Sequence, residues 1–250
     1  MSALKLLFHK LIFQPLYNGL IALYLIIPDL GVVIILLTVI IRFLFLPLSK
    51  KSITAQKKMQ ELQPELKKIQ EKYKHDKQLQ GRKVMEFYQK KGVNPAGGCL
   101  PMIVQLVFFI ALYRVFMLGL DSQSAADLIY PFLPQPEKLN PIAFGFLDLS
   151  KPNVWLAIVT AAVQYIQGKM MLDTKKEDKK QQKQQKQELN KEDFGSMMQK
   201  QMVYMGPAIT LFIGLKFPAG LLLYWLVTNV FMVVQQKFIF QQEEAQTAKK

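Results

Sequence analysis

One cysteine, Cys99, and two histidines, His9 and His75, are all that a chain of 250 residues offers of the soft metal ligands. A single thiol excludes an internal disulfide framework and any multi-cysteine metal site, and histidines so far apart in sequence have no metal-ligand spacing. A nucleophile–base pair, a glycine-rich phosphate loop and a metal-ligand cluster are also missing, so neither an enzymatic reading nor a resident cofactor has a footing. No internal repeat is visible, which weighs against a solute transporter built from two symmetric halves. The basic loops lack the interleaved aromatics that stack on bases, so no sequence-specific nucleic-acid site is expected. The first stretch, MSALKLLFHKLIFQPLYNGL, has no small-residue cleavage site and no cysteine to lipidate, and is expected to be retained.

What is present is grease and charge, kept apart. Apolar residues make up 51% of the chain and mean hydropathy is +0.14, although 20% of residues are charged and the net charge is +14. Residues 92–113 run for 22 positions without a charge, 152–168 for 17, and 217–236 for 20. A bilayer core takes about 20 mainly apolar residues of helix, so these runs predict membrane spans and exclude a soluble enzyme. The pattern predicts an all-α integral membrane protein with five transmembrane helices, at residues 29–49, 94–119, 153–172, 201–217 and 218–240. The fourth is the weakest, with 15 uncharged residues between Lys200 and Lys216. Asn94-Pro95 is a good start for the second, a capping side chain followed by proline at the first helical position.

The connecting segments set the orientation. Residues 50–91 hold thirteen Lys/Arg against five Asp/Glu, and residues 175–200 hold eight Lys, whereas residues 121–151 hold two basic and four acidic. Positive loops stay in the cytoplasm. The N-terminus is therefore expected outside, the basic loops and a short tail at 241–250 inside, and residues 120–152 form an extracytoplasmic loop.

Residues 1–28 are apolar enough to span, but Gln14-Pro15 and Asn18-Gly19 interrupt them. An amphipathic helix lying on the outer membrane surface is expected, with a sixth span as the alternative. In the basic segment 50–92, Leu62, Leu66, Ile69 and Tyr73 recur at spacings of 4, 3 and 4, one apolar stripe on a helix. Val84, Phe87, Tyr88 and Lys91 continue a second helix after a turn expected between His75 and Gly81, giving an antiparallel helical hairpin. Pro64 should kink or restart the first helix. The Lys/Gln-rich segment 173–200 has almost no apolar residues and is expected to be disordered.

Arg42, in VVIILLTVIIRFLFLPL, is the sharpest single clue. Counted from Leu30 at ~1.5 Å per residue, it lies roughly 18 Å below the outer end of its span. Arginine in hydrocarbon costs from about 3 to over 10 kcal/mol depending on the method. Two readings follow: Arg42 snorkels toward Lys50 and anchors the helix, or it lines a hydrated cavity. Thr38 is one turn away on the same face. Gln105, Gln164, Thr228 and Asn229 fall near the same depth on other spans, with Tyr224 and Trp225 one turn before the last two. Singly, each reads as helix-packing glue. Together they outline a polar wall. Asp29 sits too far out to pair with Arg42. Arg114 reaches for headgroups, and Cys99 reads as a small packing residue.

These residues carry a resemblance. IIRFLFLPLSKK, MQELQPELKKIQEKY, VNPAGGCLPMIVQLVFFIALY and FPAGLLLYWLVTNVFMVVQQ, in this order between Leu11 and Phe240, resemble the YidC-type membrane protein insertases of the YidC/Oxa/Alb family. The resemblance implies a five-span core around a hydrophilic groove open to lipid and cytoplasm. It implies that Arg42 is the groove arginine, with Thr38, Gln105, Gln164, Tyr224, Trp225, Thr228 and Asn229 around it. It implies a cytoplasmic hairpin that receives clients, with Lys57, Lys58, Lys67, Lys68, Lys72, Lys74, Arg82 and Lys83 as its client or ribosome contacts. The partners implied are nascent membrane proteins, the ribosome, the Sec translocon and the phospholipid membrane, in the bacterial cytoplasmic membrane. The large extracytoplasmic domain of Gram-negative members is missing, so a short form is expected. The family's frequent proline after the second-span glutamine is replaced by Leu106-Val107, and the near-neutral tail weakens a tail-based ribosome contact.

Overall fold

A computed structural model describes residues 3–94, 100–117, 128–136, 138–173 and 194–247. The expected cap at Asn94-Pro95, the setting of Cys99 and the disorder expected over residues 174–193 lie outside the described residues, whereas residues 194–200, expected in the same disordered segment, are helical and begin the fourth apolar helix seven residues early. The described chain is almost entirely helical, as the apolar runs demand. Its helices are α1 (Ala3–Phe8), a π turn (His9–Phe13), α2 (Gln14–Ile26), α3 (Leu30–Leu44), α4 (Leu46–Glu61), α5 (Gln63–Lys72), α6 (Lys77–Lys90), α7 (Leu100–Met117), α8 (Val154–Asp173), α9 (Phe194–Gly214) and α10 (Ala219–Thr247). Strands β1 (Ile142–Ala143) and β2 (Leu147–Asp148) pair antiparallel between α7 and α8. By length and composition, Leu6–Ile26 and Ala219–Gln241 suffice to cross a membrane, and Leu30–Leu44 with Leu46–Met59 does so if counted as one broken span. Ile103–Phe116 and Val203–Gly214 are shorter apolar helices.

The chain divides into two compact units. The first comprises residues 1–45, 103–164 and 207–232. Its core joins Phe13, Leu20 and Ile21 of the N-terminal helix to Leu30, Val33 and Ile34 of α3, Leu112 and Val115 of α7, and Leu221 and Leu223 of α10. The start of α3 is written in Asp29, whose carboxylate accepts from Gly31 N (2.8 Å) and Val32 N (3.0 Å). Its end differs from expectation. A single span was expected to reach residue 49, but the helix stops at Phe45 (φ −91°, ψ 7°) and α4 restarts at Leu46. Pro47 has no amide hydrogen for the carbonyl four residues back, and the ladder breaks there. Pro15, by contrast, sits in the first turn of α2, where a missing N–H is tolerated. The interruption seen in sequence is absorbed by the π turn just before it. Residues 6–26, expected as an interfacial helix, are nonetheless long and apolar enough to cross.

The strands make a tight reversal. Ala143 pairs with Leu147, Phe146 N donates to Ala143 O (3.1 Å), and both Phe144 (φ 54°) and Gly145 (φ 80°) are left-handed. Gly145 adopts that region freely, whereas phenylalanine does so only at a conformational cost.

The second unit comprises residues 46–102, 165–206 and 233–250. Here α5 and α6 run antiparallel, tied by Gln80 Nε2 to Gln70 O (2.6 Å) near the turn and by Lys91 to Glu65 (2.8 Å) at the far end. Leu66, Tyr88 and Val93 are the buried centre, with Leu62, Val84 and Phe87 against them. Pro64 behaves as its chemistry predicts: α4 ends at Glu61 and α5 restarts with proline in its first turn. The turn falls earlier than expected. It spans residues 73–76, because Asp76 caps α6 by accepting from Gln78 N (3.0 Å) and Leu79 N (2.9 Å), and Gly81 lies inside the helix. The last helix also outruns its expected end at 240, continuing to Thr247. There Ile53 of α4 meets Ile239 and Phe240, and Lys57 lies over the Phe240 ring at 5.5 Å.

Candidate functional site

All eight polar-wall residues belong to the first unit, and the fold brings half of them into one cluster. Arg42, near the end of α3, is half-buried, and its Nη2 donates to Gln105 Oε1 on α7. The Tyr224 hydroxyl, on α10, faces both the Arg42 guanidinium and the Thr228 hydroxyl one turn on. Tyr224 and Thr228 are themselves buried. Among the described residues no carboxylate pairs with Arg42. Asp29, the nearest acid in the sequence, is fully engaged by Gly31 N, Val32 N and Phe144 N. The cation thus rests on neutral dipoles alone, an arrangement that leaves its charge uncompensated.

Thr38 is buried and spends its proton on Ile34 O (2.6 Å), the carbonyl one turn back. It lines a cavity of about 10 Å³ with Tyr224, Ile34, Leu37, Ile41 and Phe108. That is space for about one water, and most of the wall is apolar. This cavity is therefore not itself a hydrated channel. Two buried amide nitrogens, Gln105 Nε2 and Asn229 Nδ2, have no partner among the described residues. An unsatisfied buried donor costs about 1–3 kcal/mol. Gln105 has given its carbonyl to Arg42, so what it has left to offer is a donor, as does Arg42 itself. Chemically the cluster suits an acceptor-rich guest, a carboxylate or a backbone carbonyl.

The remaining residues are placed differently. Trp225 packs edge-on against Phe109 (5.7 Å between ring centres). Gln164 of α8 accepts from the Thr210 hydroxyl of α9. Thr210 is fully buried and was missed in sequence, although it falls near the middle of the expected 201–217 span, the one for which no polar residue was counted. Asn18 was missed as a binding residue too. It donates to Leu128 O (2.8 Å) and accepts from Tyr130 N (2.7 Å), fastening the N-terminal helix to the loop before α8. In the second unit, Ser49 donates to Gln235 Oε1 (3.1 Å) beside the fully buried Gln236, a polar contact that the basic sequence around it concealed.

Of the hairpin cations, Lys58, Lys68, Lys72, Lys74 and Arg82 are exposed, and Lys57, Lys67 and Lys83 are partly covered. Lys83 pairs with Glu86 (2.8 Å), whose carboxyl this contact holds below the usual range. No group of three or more His, Cys, Asp or Glu suited to a metal occurs among the described residues.

Comparison with known proteins points the same way as the resemblance. The sequence profile described as "60Kd inner membrane protein" matches residues 22–246. A protein named membrane protein insertase YidC from Geobacter metallireducens is 32% identical over 99% of this chain and 40% of its own length. Proteins of the same name from Pelobacter propionicus (34% identical, 95% of this chain and 40% of the relative) and Wolinella succinogenes (32%, 93% and 37%) are similar. The chain spans about two fifths of the length of these curated relatives.

Proposed function

Because the chain belongs to the 60Kd inner membrane protein family, we propose that it inserts client proteins into the bacterial inner membrane by solvating their polar tails at the Arg42 cluster. The observation that carries this reading is a cation inside an apolar helix held, among the described residues, by neutral Gln105 and Tyr224. A tail crossing hydrocarbon loses several kcal/mol for each polar group left unsatisfied. A hydrated groove lined by Arg42, Gln105, Tyr224 and Thr228 would satisfy those groups for part of the route. The client's apolar segment then moves sideways into lipid and gains the free energy of burial. The membrane potential adds ~2.3 kcal/mol per charge per 100 mV. Exposed cations of the α5–α6 hairpin meet acidic headgroups or ribosomal phosphate, and cooperation with the Sec translocon is part of the same proposal.

Reconstitution of the purified protein in liposomes tests this against a transporter. Protease protection of an added single-span client above protein-free liposomes is expected, with no uptake of small solutes. Solute uptake without client insertion would overturn the proposal.

The N-terminal helix, on this reading, lies along the outer face. Arg114, towards the far end of α7, stacks on Phe8 (5.3 Å), and Asp29, at the other end of the N-terminal segment, caps α3. Between them, Asn18 and Tyr24 bind one loop, the latter by accepting from Asn140 N (2.9 Å). A crossing helix would carry Phe8 and Asp29 to opposite faces about 30 Å apart. These contacts support a single level. A cysteine at position 5 in a Cys99→Ser background should react with an impermeant thiol reagent added outside the cell. Reaction only after the inner face is opened would mean a sixth span.

A further inference from the structure

Near the start of α8, two large aromatic side chains are turned to water. Phe146, in the β hairpin, is 81% exposed, and Trp155, in the first turn of α8, is 77% exposed. Side chains of this size turned to water nine residues apart call for an occupant. Their level in the fold is set by four hydrogen bonds and one ring contact. Phe144 N donates to Asp29 Oδ2 (2.7 Å) at the N-terminus of α3, and the Phe144 ring closes over Gly31. Further on, Leu149 O accepts from Gly220 N (3.0 Å) and Lys151 O from Ala219 N (2.9 Å), both in the first turn of α10. Asn153 then caps α8 by accepting from Leu156 N (2.9 Å). Residues 142–155 therefore lie across the N-terminal ends of three apolar helices, at the edge of the apolar layer.

We propose that Phe146 and Trp155 form an aromatic foot seated in the headgroup–acyl boundary of the phospholipid bilayer, with the β hairpin as its rigid mount. Three observations favour lipid over a protein partner. The foot is continuous with the first turns of α8, where Val154, Ile158 and Val159 are about half exposed and would face lipid in a membrane. Aromatic side chains concentrate at that boundary because a flat, weakly polar ring suits a zone that is apolar on one side and wet on the other. The hairpin also offers a protein partner little to bind. Each strand is two residues long, too short an edge for strand addition, and Asp148 is engaged by Ser150 and Lys151. That ion pair stands among the same residues, a charged rim for headgroups beside an apolar tip. The left-handed turn at Phe144 and Gly145 holds Phe146 on a short, fixed arm instead of a mobile loop. This inference needs the chain to lie in a membrane but does not depend on what it inserts.

The test uses the full chain in phosphatidylcholine vesicles and tryptophan emission. In a Trp225→Phe variant, Trp155 is the only emitter and the hairpin is untouched. In a second variant, Trp155→Phe and Trp225→Phe are combined with Phe146→Trp. Both probes are expected to emit blue-shifted light, to lose most of it to lipids brominated near the headgroup end of the acyl chain, to lose less to lipids brominated near the chain end, and to resist aqueous iodide. Red-shifted emission quenched by iodide and not by bromolipid would place the foot in water and overturn the proposal. Emission shielded from both quenchers would mean that protein covers the foot, which overturns it equally. Client insertion is not read in this experiment, so its outcome is separate from that of the insertase reading.

Discussion

Replacing Arg42 with alanine is expected to lower insertion of clients with acidic tails by roughly tenfold to a hundredfold, while clients with neutral tails change little. The magnitude follows from a charged hydrogen bond being worth about 1.5–3 kcal/mol, with each 1.4 kcal/mol a factor of ten. The selectivity follows from the cluster's chemistry. Once Gln105 has given its carbonyl to Arg42, the groups left over are donors, and a carboxylate gains most from them. Folding should survive. Arg42 is half-buried and outside the buried core, and its loss orphans the Gln105 carbonyl at about 1–3 kcal/mol while removing an unpaired cation from an apolar helix. Thermal unfolding in detergent should therefore shift only slightly. Arg42→Lys keeps the charge but not the planar fork, and should fall between wild type and alanine. Protease protection across a series of tails with increasing acidic content is the measurement. Equal loss for neutral and acidic tails would show that Arg42 matters only as a structural residue.

The largest loss of stability is expected at a residue with no side chain. A Cβ placed on Gly220 would lie 2.0 Å from Phe116 Cζ and under 3 Å from two further atoms of that ring. Phe116 is buried in the first unit's core, so its ring has little freedom to retreat. Overpacking of this kind costs about 1–3 kcal/mol or more. Alanine gains at most about 1 kcal/mol of helix propensity over glycine, and less in the first turn, so the clash wins. Gly220→Ala should lower the unfolding temperature in detergent, and Gly220→Leu should prevent accumulation of folded protein. Trimming the opposing ring is the control. Phe116→Leu alone costs stability, but combined with Gly220→Ala it should recover much of the loss, the coupling that contacting residues show. Additive losses would mean that the two sites do not meet.

Much of the molecule could be read from residue order alone, and the places where reading failed share a cause. Pro64 as a helix restart is local chemistry, and it holds; the Asp29 cap of α3 is equally local but went unread. Asp76 was the same kind of signal, but the glycine at 81 drew the expected turn too late. Pro47 likewise carried the information that α3 must end before it, yet the unbroken apolar run around it suggested one continuous span. In each case two local signals competed, and the one tied to a specific hydrogen bond prevailed over the one tied to average composition.

The amino-acid sequence by itself determined that the chain is helical and apolar in long runs, that its charge is sorted between loops, and that Arg42 is the one cation deep in an apolar helix. These follow from composition and from position along the chain, because each residue advances a helix by a known ~1.5 Å and so has a depth. Only the tertiary structure decided which residues of equal depth meet. Gln105 reaches Arg42, whereas Gln164 turns to Thr210 and Trp225 to Phe109. A helix that is apolar all round carries no stripe to say which way it faces. Its azimuth is settled by the neighbours it packs against, such as Gly220 against Phe116, and not by its own residues.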